Sequence, residues 1–324
     1  MRNIRLGFDL GSSSLKIAVL RGGGFQIEEV RLPESLAEET ETNPPQALTR
    51  FLKQTKKELS LPRGPAALAL PPSQAICRLV SMPPVTTEQL FLNLTYEFSD
   101  FIQGEADRYH WDYAVCASAG DAEASREIPM MAAVAEKQTL AEYARVFARA
   151  GFRLNTVLPQ EMALIQLCRA RGAGEDPVCF VDLGHQFTRI TVVWRDRVQA
   201  TRQIALGGQD LDAAEPADAV PSVPSAAYTM EGVRDVRTFP AMAEVCDRIA
   251  VEILKVLHYY QFTYRSGTLR GIYLVGGGAA LPPLRQSIEN AVDLPLLDPA
   301  DLLPKAGERA AAGVFAAGAA MRGT

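Results

Sequence analysis

GFDLGSSSLKIAVL, residues 7–20, decides the fold of this chain. A glycine–serine loop straight after an apolar strand also opens dinucleotide-binding βαβ units, where the loop leads into a helix whose N-terminus faces a pyrophosphate. Residues 15–20 do not have a helical pattern. Leu15, Ile17 and Val19 alternate with Lys16, Ala18 and Leu20, and Gly22-Gly23-Gly24 ends the run. That alternation predicts a second strand and makes residues 11–14 a hairpin tip. Gly and Ser are ordinary turn formers, so this stretch alone leaves a plain hairpin and a phosphate site equally open.

The chain then repeats itself. VCFVDLGHQFTRITVV, residues 178–193, is again an apolar strand ending in Asp182-Leu183-Gly184, a short polar turn and a second strand, with a further turn at Arg195-Asp196-Arg197. Asp182 lies 173 residues after Asp9. A third turn, Gly276-Gly277-Gly278-Ala279, closes the apolar run GIYLV. A nucleotide held between two lobes needs such a trio: two hairpin tips whose backbone N–H groups face the phosphates from opposite sides, and a loop without side chains where purine and ribose meet the main chain. Aspartates at the start of both tips suit Mg²⁺, which takes few carboxylates and fills its shell with water and phosphate; an Asp capping its own turn is the alternative. Asp9 and Asp182 are the candidates. Lys16 can reach a phosphate as a point charge, or be a solvated strand lysine.

With 324 residues and 48% hydrophobic content, the chain can bury a large core, and two lobes are the expectation from length. The net charge of −5 and the lack of a long basic run argue against nucleic acid as a partner. Cys77, Cys116, Cys168, Cys179 and Cys246 are scattered, without CxxC spacing, and most lie in apolar runs, which fits buried thiols in a reducing cytoplasm. MRNIRLGFDL enters a strand directly, with no secretion signal. ERAAAGVFAAGAAM is too short and too rich in Ala and Gly to span a bilayer, and predicts a closely packed small-residue helix.

Between the hairpins, residues 45–59 carry helical spacing, ALALPPSQAICRLVSMPP reads as strand, turn, strand, and TTEQLFLNLTYEFSDFI as a helix with a Thr N-cap and Glu88 in its first turn. YHWDYAVCAS and REIPMMAAVA are two further strands, QTLAEYARVFARAGF an amphipathic helix closed by Gly151, LNTVLP a strand and EMALIQLCRARG a helix. Residues 209–240, rich in Pro, Ala and Asp, predict irregular structure. AEVCDRIAVEILKVLHYYQFTY then places Val245, Ile249, Ile253, Val256, Leu257 and Tyr260 on one face of a long helix.

In this order DLGSSSLK, VDLGHQFT and LVGGGAAL resemble the first phosphate, second phosphate and adenosine motifs of the actin-like ATPase superfamily of actins, heat-shock chaperones and sugar kinases. Within it, AALALPPSQAICRLVSMPP, FIQGEADRYHWDYAV, AEYARVFARAGFRLNTVLPQEMAL, ATRQIALGGQDL, EILKVLHYYQF and AAAGVFAAGAAMRG resemble segments of the PilM family of type IV pilus assembly, on the FtsA/PilM branch. The resemblance covers nearly the whole chain. It implies an α/β, actin-like (ribonuclease H-like) two-lobed ATPase fold with an inserted α+β subdomain in the first lobe. The implied boundaries are 1–64, 136–170 and 305–324 for the first lobe core, 65–135 for the insert, and 171–304 for the second lobe, with a reduced irregular subdomain near 209–265.

The resemblance further implies ATP with Mg²⁺. Its contacts carry over to Asp9, Gly11, Ser12, Ser13, Ser14 and Lys16, to Asp182, Gly184 and Thr188, to Lys255 on the long helix, and to Gly276, Gly277 and Gly278, with the metal held by Asp9 and Asp182 through water. Gln160-Glu161 stands about where the family often positions water, and either residue can serve. The implied partner is the cytoplasmic tail of a PilN-like inner-membrane protein, held in a groove between the first subdomain and the insert. This places the protein in the cytoplasm, drawn to the inner face of the membrane within a pilus assembly complex, with self-association open. His185-Gln186 departs from the small residues usual in the second tip, and the helix expected after GGQDL is largely replaced by the Pro/Ala-rich stretch. The expectation is therefore ATP binding with slow or absent hydrolysis. A small-molecule kinase, with Glu161 as the available base, and a nucleotide-free scaffold resembling the GspL secretion proteins are the alternatives.

Overall fold

Two five-stranded sheets share one strand plan. A computed structural model describes residues 4–33, 36, 45–116, 127–173, 175–213, 240–264 and 268–321. The first sheet contains β1 (Arg5–Leu10), β2 (Ser14–Arg21), β3 (Gly24–Arg31), β4 (Pro65–Leu70) and β8 (Arg153–Pro159), in the order β3-β2-β1-β4-β8. The second contains β9 (Val178–Leu183), β10 (Thr188–Trp194), β11 (Arg197–Ile204), β12 (Ile272–Val275) and β13 (Leu296–Leu297), in the order β11-β10-β9-β12-β13. In each, the hairpin strands run antiparallel and the last two join in parallel. The parallel joints need crossovers, and helices supply them.

Each sheet is covered on both faces, which is why its central strands read as apolar runs. On the outer face of the first sheet, Phe8 meets Phe147 and Phe152 edge-on, beneath α1 (Pro45–Glu58) and α3 (Lys137–Arg149). The second sheet is covered by α6 (Pro240–Thr263) and α7 (Pro282–Ala291); Ile249, Ile253, Val256, Leu257 and Tyr260 of α6 are buried there, as the helical stripe predicts. Between the sheets lie α4 (Gln160–Arg171) and α8 (Val314–Met321), within one core that draws residues from both lobes.

The small residues of α8 serve close approach. A Cβ on Gly7 of β1 would overlap the Ala316 carbonyl oxygen, and one on Gly318 would overlap that of Ala163 in α4. Helix α8 thus lies backbone-to-backbone on a strand and a helix of the first lobe, with residues 314–320 all buried. All five cysteines are buried and free.

The insert is a three-stranded sheet, β5 (Ala75–Met82), β7 (Ile128–Glu136) and β6 (Tyr109–Val115), in the order β5-β7-β6, backed by α2 (Thr87–Glu97). Thr86 caps α2 in a reciprocal capping box with Gln89. Leu90, Leu94 and Phe98 pack into the insert's own core, while Phe91 is exposed. The sheet pairing corrects the expected boundary at residue 65. Residues 65–70 form β4, which pairs in parallel with β1 and β8 at the centre of the first-lobe sheet, so the insert begins after Pro71-Pro72. Two prolines that cannot donate ladder bonds end β4 and release the chain from the sheet. In the stretch 209–240, residues 209–213 belong to α5 (Gly208–Ala213) and residue 240 opens α6 rather than being irregular, and residues 214–239 lie outside the described residues.

Candidate functional site

The two hairpin tips close by the same bond. Gly11 N donates to Ser14 O and Gly184 N donates to Phe187 O, each at 3.0 Å. Both tips face one cleft of about 430 Å³, within the range of small-molecule sites. Gly11, Ser12 and Ser13 line one side; Gly184, His185 and Gln186 line the other; Gly276 and Gly277 form part of the wall. The second tip is braced from behind, where Gly208 N donates to Gly184 O at 2.9 Å and Gln209 N to His185 O at 2.8 Å.

Each hairpin sets an aspartate directly across from a cation. Asp9 pairs with Lys16 in the β1–β2 register, and Asp182 pairs with Arg189 in the β9–β10 register. All four line the cleft. Gln160, the first residue of α4, joins the two sides: its Nε2 donates to Asp9 Oδ1 at 2.8 Å, and its Oε1 accepts from Arg189 Nη1 at 2.6 Å. The chain Asp9–Gln160–Arg189 therefore crosses from lobe to lobe.

Burial dominates the electrostatics. It pushes the Asp9 carboxyl up, against the pull of Lys16, the Gln160 hydrogen bond and Arg189. It pushes Asp182 up to about 6, with Arg189 opposing and the charge of Asp9 assisting. Glu161 is also raised by burial, with Arg189 opposing. Lys16 and Arg189 bring two cations to the cleft wall beside these carboxyls, and each can meet an anion there.

Gly276 adopts φ +88°, and a Cβ there would lie 2.5 Å from Asp182 Oδ1 and 2.6 Å from Leu183 O. The glycine loop is thus pressed onto the end of β9, and its backbone forms the cleft wall.

Among the residues singled out from sequence, the cleft brings together Asp9, Gly11, Ser12, Ser13, Lys16, Gln160, Asp182, Gly184, Gly276 and Gly277. Five others point elsewhere. Ser14 Oγ donates to Glu29, Thr188 Oγ1 donates to Leu206 O, and Gly278 packs against Leu183. Glu161 lines a neighbouring cavity of about 420 Å³ between the insert and β11. Lys255 is largely exposed, pairs with Glu252, and lies on an adjoining depression that meets the cleft at Gln203. Arg189 was not singled out, although a signal exists: it stands seven residues after Asp182, as Lys16 stands seven after Asp9.

The family model for type IV pilus assembly protein PilM matches residues 7–304. Among solved structures, a PilM-PilN type IV pilus biogenesis complex aligns with a TM-score of 0.72 at 18% identity, covering 98% of each chain. The ethanolamine utilization protein EutJ from Carboxydothermus hydrogenoformans aligns with a TM-score of 0.55 at 15% identity, covering 99% of this chain and 89% of that one. At these identities the structural likeness speaks for the fold. No curated protein sequence matches the chain.

Proposed function

The chain belongs to the type IV pilus assembly protein PilM family, with the actin-like ATPase fold, and on that premise we propose that it binds ATP between its lobes and holds the tail peptide of a PilN-like membrane protein. The observation that carries the nucleotide reading is the pair of equivalent hairpin tips, each with its aspartate–cation pair, facing one cleft. The cleft fits the group. Backbone at residues 11–13 and 184–186 meets phosphates from two sides, Lys16 adds a point charge, and the glycine loop admits a base and ribose where side chains would block them. Asp9 and Asp182 would hold a Mg²⁺ ion through water, and the ion would offset phosphate charge.

Turnover is slow in this reading. Gln160 faces the cleft, but its amide nitrogen serves Asp9 and its amide oxygen serves Arg189, so it is poorly free to orient an attacking water. Glu161, on the far side of the helix turn, lines a different cavity. ATP then acts as a switch ligand, favouring whichever lobe arrangement it binds more tightly.

The partner groove is a largely apolar cavity of about 150 Å³ between the first lobe and the insert, where Leu70, Val157, Leu158 and Met162 face Met131 and Tyr113. The membrane partner brings the protein to the inner face of the cytoplasmic membrane; among the described residues, no helix is long and apolar enough to cross one. Isothermal titration with ATP and Mg²⁺, repeated with a synthetic peptide of a PilN-like tail, tests both halves. Saturable heats for each are expected. Absence of any ATP heat would remove the nucleotide reading, and absence of any peptide heat the partner reading.

A further inference from the structure

Arg189 has no role in the motifs that identify this fold, yet it lines the cleft. Its place is fixed by register: β10 sets it across from Asp182 on the wall that carries Gly184 and His185. Its guanidinium is incompletely satisfied. Nη1 donates to the neutral amide oxygen of Gln160, while Nε is shut off from solvent with no partner among the described residues. No ion pair of the described residues includes it, whereas Lys16, its counterpart on the first hairpin, already has Glu29 at 3.9 Å. A half-buried guanidinium that lines the cleft without an ion-pair partner among the described residues can take an anion through its Nη groups, and its planar fork matches phosphate oxygens.

We propose that Arg189 binds the terminal phosphates of the nucleotide and supplies neutralising charge from the protein, so that ATP binding survives removal of Mg²⁺. This rests on the ATP reading above. The carboxylates of the two hairpins in the cleft are Asp9 and Asp182, each set across from a cation of its own hairpin, Lys16 and Arg189. The charge that phosphate meets directly is Lys16 and Arg189. A competing use for Arg189 is also visible, because it lines the neighbouring cavity with Glu161, whose Oε2 has no partner among the described residues. If Arg189 served only that carboxyl, its removal would leave ATP affinity unchanged.

The test is calorimetric titration of ATP in Mg²⁺ and in EDTA, with the wild-type protein, Arg189→Gln and Arg189→Lys, each checked for folding by thermal denaturation. Wild type is expected to lose less than about threefold in affinity on Mg²⁺ removal. Arg189→Gln is expected to lose roughly tenfold or more in EDTA, the usual cost of one charge-assisted contact, with partial recovery in Arg189→Lys. Wild-type binding abolished by EDTA, or Arg189→Gln affinity equal to wild type in EDTA, would overturn the assignment. Loss of wild-type binding in EDTA overturns the assignment without any variant, and if Arg189→Gln does not fold, Arg189→Lys carries the comparison. Failure of ATP to bind in Mg²⁺ would instead overturn the nucleotide reading itself.

Discussion

Gln160 Oε1 accepts a 2.6 Å hydrogen bond from Arg189 Nη1, and this one bond links the helix after the first lobe's last parallel strand to the second lobe's hairpin. With its other end on Asp9, Gln160 is the only described side chain hydrogen-bonded to cleft carboxylate and cleft guanidinium at once.

Gln160→Ala should therefore destabilise the protein by about 1–3 kcal/mol, because it strands a buried carboxyl and a guanidinium together. Urea denaturation measures this. A midpoint equal to wild type would mean that the bridge is not formed in solution. Phosphate release should be slow in both proteins; release at tens per second in wild type, abolished by Gln160→Ala, would move the protein into the class of fast ATPases.

The Asp182 carboxyl titrates at about 6 in the folded protein against a usual 3.8. Between those values the folded state keeps a proton that the unfolded chain has released. This contribution to stability is full below about pH 4 and is lost as pH rises through about 6. Asp182→Asn should remove that slope and raise stability at neutral pH by on the order of 1–3 kcal/mol. The quantity to follow is the difference in unfolding free energy between the two proteins from pH 4 to pH 7. A difference that stays constant would show that Asp182 titrates normally.

Gly276 and Gly277 should separate folding from binding. Gly276→Ala forces a Cβ against Asp182 and Leu183 at a positive φ, and should lower stability by roughly 1–3 kcal/mol. Gly277→Val adds bulk to the cleft wall and should weaken ATP binding by roughly tenfold or more while the protein stays folded. Unchanged ATP affinity in Gly277→Val would make the loop a turn and nothing else.

Gly318→Val should be the most damaging of these changes, since Gly318 meets the Ala163 carbonyl where backbone, not a flexible side chain, would have to give way. A loss of roughly 3 kcal/mol or more, on the order of severe overpacking, or failure to accumulate folded protein is expected. A melting temperature within a few degrees of wild type would mean that α8 can lift from α4 at little cost.

The hairpins were legible because alternation and a fixed Asp-Leu-Gly spacing are local signals; Asp9, Asp182 and the tip glycines came with them. Side-chain destinations were not. Thr188 turns its hydroxyl to Leu206 in the connection after β11, and Ser14 turns to Glu29 on β3, contacts that only the folded register creates. Gln160 and Glu161 are adjacent in sequence, but one helical step rotates a side chain by about 100°, so one faces the cleft and the other the far cavity. The start of the insert was misplaced because PAALAL reads equally well as the insert's first strand or as a strand flanked by parallel partners, and pairing is a long-range property.

The seat of α8 on β1 also sets an order of events during synthesis. Arg5 Nη1 donates to Met321 O across 316 positions of chain, and Gly7 lies against Ala316. Strand β1 has no cover from α8 until that helix, made more than three hundred residues later, leaves the ribosome. The first lobe cannot close as an independent unit while translation proceeds, unlike a chain whose leading domain folds as it emerges. Until then its apolar strands are open to misassociation, and a ribosome stalled before residue 314 should display a nascent chain that chaperones bind and proteases cut.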